Sequence, residues 1–155
     1  MRPPPYTIQE LLPHGPPMLL LDAVDAVDDD CLVASVTIRP DSPFARSEGV
    51  PAHIGIELMA QACGALAGFL SLEAGEPVRV GFLMGARSAS FRREWFAFGE
   101  RLTVSVSLMY RDDVTAAMKA EIEIGGERVA EALLSVYQPP PGAIDGPERS
   151  QDGAT

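Results

Sequence analysis

The chain has 155 residues, of which 46% are hydrophobic and 22% charged, as expected of one compact domain that buries a core without disulfides or metals. Its formal net charge of -10 argues against a nucleic-acid-binding protein, because neutralising phosphates requires a basic face. Cys31 and Cys63 are isolated from each other and from histidine clusters, so the sequence predicts neither a disulfide framework nor a zinc site.

The first part of the chain is predicted to form a short helix and a hairpin. The N-terminus contains no apolar stretch of the kind that a secretory signal needs, so we expect a cytoplasmic protein. Residues 7–12 indicate a helix in which Thr7 and Glu10 form a capping box. The apolar runs at residues 18–28 and 32–39 flank an acidic turn, which predicts a β-hairpin.

A proline-rich loop at residues 40–51 precedes one long apolar helix, which Gly75 is placed to end. Residues 54–72 are nearly long enough to cross a membrane, but they include Glu57 and Gln61. An acidic side chain in mid-membrane costs about 2.5–3.5 kcal/mol on insertion scales, so we predict a buried helix and no membrane span. The Ala and Gly residues of this helix predict a close approach by a sheet.

Antiparallel strands are predicted after the helix. Residues 78–91 and 101–111 are strand candidates, the second with strong period-two alternation. An Asp-Asp pair and a Gly-Gly pair mark tight turns within residues 112–138, which predicts two further strands. The tail at residues 139–155 is rich in proline, glycine and polar residues, so we expect it to be disordered after a single domain at residues 1–138. An antiparallel sheet with one all-apolar helix has to curl around that helix, which predicts an α+β fold.

Three motifs follow one another along the chain. LPHGPPMLLLD at residues 12–22 is similar to LPHRxPxLLVD, and VPAHIGIELMAQACG at residues 50–64 is similar to MPGVLIIEAMAQ. GARSASFRREWFAFGERLTV at residues 85–104 is similar to GxxxARFRRPVxPGDxLxxxV. In this order, the motifs resemble those of the hot-dog-fold 3-hydroxyacyl-acyl-carrier-protein dehydratases of type II fatty-acid synthesis. The chain also resembles the dehydratase-like proteins of aryl polyene pigment clusters.

This resemblance implies a hot-dog fold, in which a curled antiparallel sheet wraps one long central helix. It implies a dimer whose sheets join edge to edge, which removes an exposed strand edge. That dimer is a homodimer or a heterodimer with another hot-dog subunit, as for the paired subunits of the aryl polyene proteins. The family implies an acyl carrier protein as partner, with the substrate carried on its phosphopantetheine arm, and no bound metal or redox cofactor.

Glu57 is the main catalytic candidate, and His53 is the second. In the family, a histidine takes the α-proton of a 3-hydroxyacyl thioester and an acidic helix residue helps hydroxide leave as water. Such an acid must be protonated near neutral pH, which an apolar pocket favours; alternatively, Glu57 only complements the positive end of the helix. The family histidine precedes the helix in a loop that here reads PFARSEGVPAHIG, with no histidine in its place. His53 lies four residues before Glu57, so a helical rise would stack the two as a replacement pair or as a structural pair. The resemblance marks His14 as structural.

Further candidates surround these residues. The resemblance implies that Gln61 helps to organise the site or contact the substrate, unless it is only a satisfied core polar group. Gly55 would let a backbone N–H approach a thioester carbonyl at the helix start, or it only allows close packing. Arg87, Arg92 and Arg93 form a basic cluster that would dock an acidic carrier protein, or they only solvate a sheet face.

Three functions follow from these residues. The first is a dehydratase of 3-hydroxyacyl thioesters in fatty-acid or polyene-type biosynthesis, with Glu57 as acid and His53 as base. The second is a catalytically incomplete subunit that completes a heteromeric dehydratase. The third is a hot-dog thioesterase, since that group also places a carboxylate on the central helix.

Overall fold

The computed structural model describes residues 1–140 apart from 14, 16 and 80, and of Phe82 it describes the backbone only. The prediction of a structural His14, and that of a disordered tail at residues 139–155 for all but its first two residues, therefore lie outside the described residues. The elements are α1 (Ile8–Leu11), β1 (Ala23–Val27), β2 (Cys31–Thr37), β3 (Val50–Pro51), a 3-10 turn (Ala52–Ile54), α2 (Gly55–Glu73), β4 (Phe82–Phe91), β5 (Trp95–Phe96), β6 (Arg101–Arg111), β7 (Thr115–Ile124) and β8 (Glu127–Tyr137).

A six-stranded antiparallel sheet, in the order β1-β2-β6-β7-β8-β4, curls around α2. The period-two pattern decides which side of each strand faces the helix. On β6, Leu102, Val104 and Val106 are buried, while the side chains between them are half exposed. Leu66 and Phe69 of α2 are fully buried beneath this face. This is the hot-dog arrangement that the sequence predicts.

The short helix α1 packs its backbone directly onto α2. Thr7 caps it in the predicted capping box, because its side chain accepts from the N–H of Glu10 while the Glu10 carboxylate accepts from the N–H of Thr7. A Cβ at Gly68 would lie 2.2 Å from the carbonyl oxygen of Leu11. Gly68 therefore serves the contact between two helices, whereas the sequence predicted that small residues serve the sheet.

The end of α2 is set by Gly75, as predicted. Gly75 has a φ of +76° and its N–H donates to the carbonyl of Leu72, while the N–H of Glu76 donates to the carbonyl of Ser71. These two bonds form a Schellman motif, which satisfies carbonyls that the helix leaves unpaired. The stretch Ala52–Glu73 is long and apolar enough to cross a membrane, but 61% of its most apolar window is buried inside the fold. It is the core helix of this domain.

Several predicted boundaries shift. The strand expected at residues 18–28 begins only at Ala23, because the carbonyl of Met18 and the N–H of Leu20 are bonded to the side chain of Gln61. The helix expected to include His53 begins at Gly55, after a 3-10 turn. The sequence did not predict the two-residue strands β3 and β5, which pair with each other beside the start of α2.

Strand β4 forms one edge of the sheet and pairs only with β8 among the described strands. Its residues 83–90 are all exposed. Ala86 and Ala89 lie opposite Leu134 and Ala132 of β8, whose side chains are buried on the inner face. Because directly opposed residues share a face, the inner face of β4 is left uncovered in this chain.

Candidate active site

A cleft of about 340 Å³ runs along one face of α2 and is called the α2 cleft below. Its floor on the helix is formed by Glu57, Ala60, Gly64, Ala67 and Ser71, which recur every three or four residues. From Glu57 to the last helical turn, the helix rises about 20–25 Å. The opposite wall comes from the start of β4, the turn between β6 and β7 and the end of β8, together with Leu12 and Pro13 just after α1. The cleft is therefore a long groove with a carboxyl group near one end.

Small side chains give the groove its depth. Ala60, Gly64 and Ala67 are half-buried on the helix surface that the sheet leaves open. The apolar side chains of Leu12, Met118 and others face them. Here the structure corrects the expectation that small helix residues serve mainly to admit the sheet, because these three line an open groove. An alkyl chain fits such a lining.

Glu57 is half-buried at the cleft and is held by Gln61. The Gln61 amide nitrogen donates to the carbonyl of Met18 at 2.7 Å and to Oε1 of Glu57 at 3.1 Å, and its oxygen accepts from the N–H of Leu20 at 2.9 Å. Since the Leu20 N–H can only donate, it fixes which end of the amide is oxygen and so aims an N–H at the carboxyl. Gln61 is 1% exposed. It positions Glu57, and its amide has no further donor to offer a substrate.

His53 does not lie with Glu57 in this chain. It is exposed in the 3-10 turn and lines neither the α2 cleft nor a second hollow of about 210 Å³, whose lining includes Ile54 and Leu58. A 3-10 turn advances by about 120° per residue, compared with 100° in an α-helix, so the four-residue spacing does not stack the two side chains. No hydrogen bond joins the two residues. The expected His53 and Glu57 pair is therefore not formed within one described chain.

Gly55 is buried at the start of α2 against the sheet. A Cβ at this position would lie 3.0 Å from Ile122 and 3.1 Å from Phe91. Its N–H donates to the carbonyls of Ala52 and His53, which close the 3-10 turn. The structure thus shows the close packing that the sequence offered as one alternative, and the N–H is already engaged. A substrate contact at Gly55 stays a prediction.

The three arginines have different surroundings. Nη1 of Arg93 donates to both carboxylate oxygens of Glu100, at 2.6 and 2.8 Å, and this hydrogen bonding from Arg93 lowers the pKa of the Glu100 carboxyl. Glu100 also accepts from the N–H of Ala97, so Arg93 fixes the loop before β6. Arg92 is exposed just after β4, and Arg87 is exposed on β4 itself. They do not form one patch of three available cations.

The far end of the α2 cleft is polar, which the sequence did not reveal. Arg79 and Arg111 line it together with Glu76, Asp112 and Asp113. The Arg79 guanidinium donates to the carbonyl of Pro139, and its Nε is buried without a partner among the described residues. These side chains are up to 37 residues apart along the chain. Strict alternation from Leu102, Val104 and Val106 would place Arg111 on the outer face, but the register shift between Leu108 and Tyr110 brings it opposite Ala116. The antiparallel meander brings them together.

Asp112 holds the turn between β6 and β7 at this end of the cleft. Its carboxylate accepts from the N–H groups of Val114 and Thr115 and from the hydroxyls of Thr115 and Tyr110. The hydrogen bonds from the two backbone N–H groups, and then those from the hydroxyls, lower the pKa of Asp112 to about 2. Its lone pairs are therefore occupied by the turn.

Comparisons with known proteins agree with this architecture. Residues 6–146 match the model of the ApeP-like family, described as ApeP dehydratase. A 3-hydroxyacyl-[acyl-carrier-protein] dehydratase FabZ from Anaeromyxobacter sp. is 36% identical over 133 residues, which cover 81% of this chain and 83% of the relative. The corresponding FabZ of Streptococcus uberis is 31% identical and covers 83% and 92% of the two chains.

Solved structures give the same result. A chain of the dehydratase heterocomplex ApeI:P from Xenorhabdus doucetiae superposes with a TM-score of 0.85 at 30% identity, covering 91% of this chain and 96% of that one. A hypothetical thioesterase with coenzyme A from Streptococcus pneumoniae has a TM-score of 0.60 at 14% identity and covers 75% and 84%. The second similarity shows the shared fold alone. The chain thus has the hot-dog fold and belongs to the ApeP-like dehydratase family.

Proposed function

We propose that this chain is the acid-bearing subunit of a dehydratase that removes water from 3-hydroxyacyl thioesters. The observation that carries the proposal is the Glu57 carboxyl, which Gln61 holds at one end of a groove lined by small and apolar side chains. A general acid has to be fixed within hydrogen-bond reach of the leaving oxygen, and such a clamp supplies this geometry. The groove accepts the acyl chain while the thioester end lies at Glu57.

The proposed reaction is an elimination. A base removes the proton from C2 of the acyl chain, the electron pair forms the C2–C3 double bond, and the C3–O bond breaks. The carboxyl group of Glu57 gives its proton to the departing hydroxyl, so that water leaves. The carboxylate then regains a proton from the protonated base or from solvent. This is acid–base chemistry, which uses neither a metal nor a redox cofactor.

The base comes from a second hot-dog subunit in this proposal. Among the described residues that line the α2 cleft there is no histidine, and His53 in particular does not line it. The uncovered edge and inner face of β4, beside the cleft at Leu83, offer the place where a second sheet joins. The similarity to a chain of the ApeI:P heterocomplex supports a different subunit as the partner.

An acyl carrier protein delivers the substrate in this proposal, in keeping with the FabZ relatives. Arg92, which is exposed and outside the ion pairs found among the described residues, is the candidate for docking this acidic partner. Arg93 is engaged by Glu100, and Arg87 lies on the strand that the second subunit covers.

The experiment reconstitutes the pair. The chain is mixed with a hot-dog dehydratase subunit that carries a loop histidine and is encoded in the same genome, and 3-hydroxyacyl pantetheine thioesters of several lengths are supplied. Formation of the conjugated enoyl thioester and release of free thiol are measured in parallel. We expect enoyl formation in the mixture that is far above the sum of the two separate subunits.

Each of the remaining outcomes would contradict the proposed function or support a different one. Equal enoyl formation by the chain alone, lost in His53→Ala or His14→Ala, would contradict a partner-supplied base. Thiol release without enoyl formation would select a thioesterase. No reaction of the chain alone or in the mixture would contradict the dehydratase proposal.

A further inference from the structure

The far end of the α2 cleft contains two arginines without a carboxylate partner in the described part of the chain. Arg79 and Arg111 both line this end, together with Glu76, Asp112 and Asp113. The ion pairs formed among the described residues include neither arginine. This is so although the chain has 22 acidic residues for 12 basic ones. The two positive charges are therefore available to a ligand in the cleft.

The guanidinium of Arg79 is anchored on one side and unoccupied on the other. Its Nη1 donates to the carbonyl of Pro139 at 3.2 Å, and the carbonyl of Arg79 accepts from the side chain of Gln138 at 3.1 Å. Among the described residues, Nε and Nη2 have no acceptor, and Nε is buried. A buried donor without a partner destabilises the fold, so it calls for an acceptor. The edge formed by Nε and Nη2 offers a carboxylate two parallel N–H···O bonds.

The three carboxylates at this end do not neutralise Arg79. The lone pairs of Asp112 are occupied by the turn between β6 and β7. Glu76 and Asp113 are exposed, so water and salt screen their charges. Arg79 is half-buried, and a charge that is partly removed from water acts more strongly on a nearby group. An anion that reaches Arg79 along the cleft is therefore attracted more than it is repelled.

An apolar path connects Glu57 with these arginines. The floor of the cleft after Glu57 consists of Ala60, Gly64 and Ala67, and polar side chains begin at Ser71. Glu57 and Ser71 are separated by about 20 Å along the helix axis, at 1.5 Å per residue. A ligand that fills this path is apolar over that distance and carries its polar group at the end.

We infer that the α2 cleft is selective for acyl chains that end in a carboxylate. Arg79 binds this terminal carboxylate through its Nε and Nη2, and Arg111 adds a second positive charge. The inference rests on the proposed function, because the thioester end of the substrate lies at Glu57. It specifies the substrate class as 3-hydroxyacyl thioesters of dicarboxylic acids. A methyl end gives Arg79 no acceptor and a hydroxyl end gives it one neutral acceptor, whereas a carboxylate brings two oxygens and a negative charge.

The test measures binding to the full-length chain, without catalysis. The ligands are acyl pantetheine amides, in which nitrogen replaces the thioester sulfur so that the acyl group is neither eliminated nor hydrolysed. Ligands of equal length end in a methyl, a hydroxyl or a carboxylate group, and each type is made in a series of lengths. Titration calorimetry at pH 7 and low ionic strength gives the dissociation constants.

The carboxylate-ended ligand is expected to bind about tenfold to 100-fold more tightly than the other two, the range for a hydrogen bond to a charged group. This preference is expected to be largest for chains whose extended length is about 20 Å, the distance from Glu57 to Ser71. The comparison of ligands uses the wild-type protein, so it does not depend on whether any variant folds.

Two variants assign the preference to residues. Arg79→Met and Arg111→Met each remove one charge and keep an unbranched side chain. We expect Arg79→Met to abolish the preference for the carboxylate and Arg111→Met to reduce it, with the affinity for the methyl-ended ligand unchanged. Arg46→Met is the matched control, because Arg46 is exposed and lines neither the α2 cleft nor the second hollow. Circular dichroism verifies that the variants are folded.

Four results would overturn the inference: equal affinity for the three ends, a hydroxyl end that binds as tightly as the carboxylate, no binding of the carboxylate-ended ligand up to about 1 mM, or a preference that survives both arginine variants. The binding measurement involves no proton transfer and leaves Glu57 unchanged. Enoyl formation from methyl-ended substrates without any carboxylate preference would therefore refute this inference alone. A carboxylate preference without enoyl formation would refute the dehydratase alone.

Discussion

Replacing Gln61 by Met tests the clamp that positions the candidate acid. Methionine has nearly the same length and shape but no amide, so it removes the bonds to Met18, Leu20 and Glu57 while filling most of the space. The carbonyl of Met18 and the N–H of Leu20 then lose their partners in a site where Gln61 itself is 1% exposed. The loop before β1 loses its attachment to α2.

The expected loss of stability follows from the two backbone groups that lose their partners, the carbonyl of Met18 and the N–H of Leu20. A buried donor or acceptor without a partner costs about 1–3 kcal/mol, so two of them predict a loss of about 2–6 kcal/mol in the free energy of unfolding. For a domain of this size, about 1 kcal/mol corresponds to 2–4 °C. We expect Gln61→Met to lower the melting temperature by about 4–24 °C.

Thermal and urea unfolding, followed by circular dichroism, provide the measurement. Gln9→Met is the matched control, because Gln9 is exposed on α1 and its replacement is expected to change stability by less than about 0.5 kcal/mol. If Gln61→Met unfolds at the wild-type temperature, the two backbone groups find other partners and Gln61 is not the clamp described above.

Three more changes probe other parts of the fold. Gly68→Ala places a Cβ 2.2 Å from the carbonyl oxygen of Leu11, so we expect a loss of about 1–3 kcal/mol in urea unfolding, larger than that of Gly64→Ala; equal losses would contradict the close helix contact. Burial raises the pKa of Cys63 to about 12, so a thiol reagent at pH 8 should modify this residue only after unfolding, and rapid labelling of the native protein would be inconsistent with it. The folded pKa of Asp112, about 2, lies below the ordinary 3.8, so its contribution to stability is complete above about pH 4 and is lost as the pH falls through 2. Asp112→Asn should therefore weaken the dependence of stability on pH in this window, and an unchanged dependence would count against the turn contacts.

The sequence predicted the fold well because its main signals are periodic. Alternation on β6 and the apolar helix with its glycine stop at Gly75 are properties of contiguous residues, so they require no knowledge of the rest of the chain. The sequence did not predict strands β3 and β5, because a strand of two residues is too short to show an alternating pattern. The start of β1 was misjudged because a side chain 41 residues away, Gln61, takes the backbone groups of Leu20 and its neighbours.

The part of the site that lies on one face of α2 was predictable from the sequence. Glu57 and Gln61 lie one turn apart in a regular helix, and the structure places both at the same cleft. His53 lies outside that helix, in a 3-10 turn. The spacing of residues in the sequence does not reveal that this turn rotates by a different angle per residue. The arginine cluster is adjacent in sequence, but the pairing of Arg93 with Glu100 depends on how the loop before β6 folds.

The central claim is that the Glu57 carboxyl donates the proton that lets water leave. The most direct test is the rate of enoyl formation in the reconstituted pair when Glu57 is replaced by Gln, with Glu76→Gln at the opposite end of the same cleft as the control. General acid catalysis contributes about 10²–10⁴-fold, so we expect a loss of that size in kcat for Glu57→Gln and little change for Glu76→Gln. A Glu57→Gln pair that dehydrates its substrate at the wild-type rate would contradict the claim.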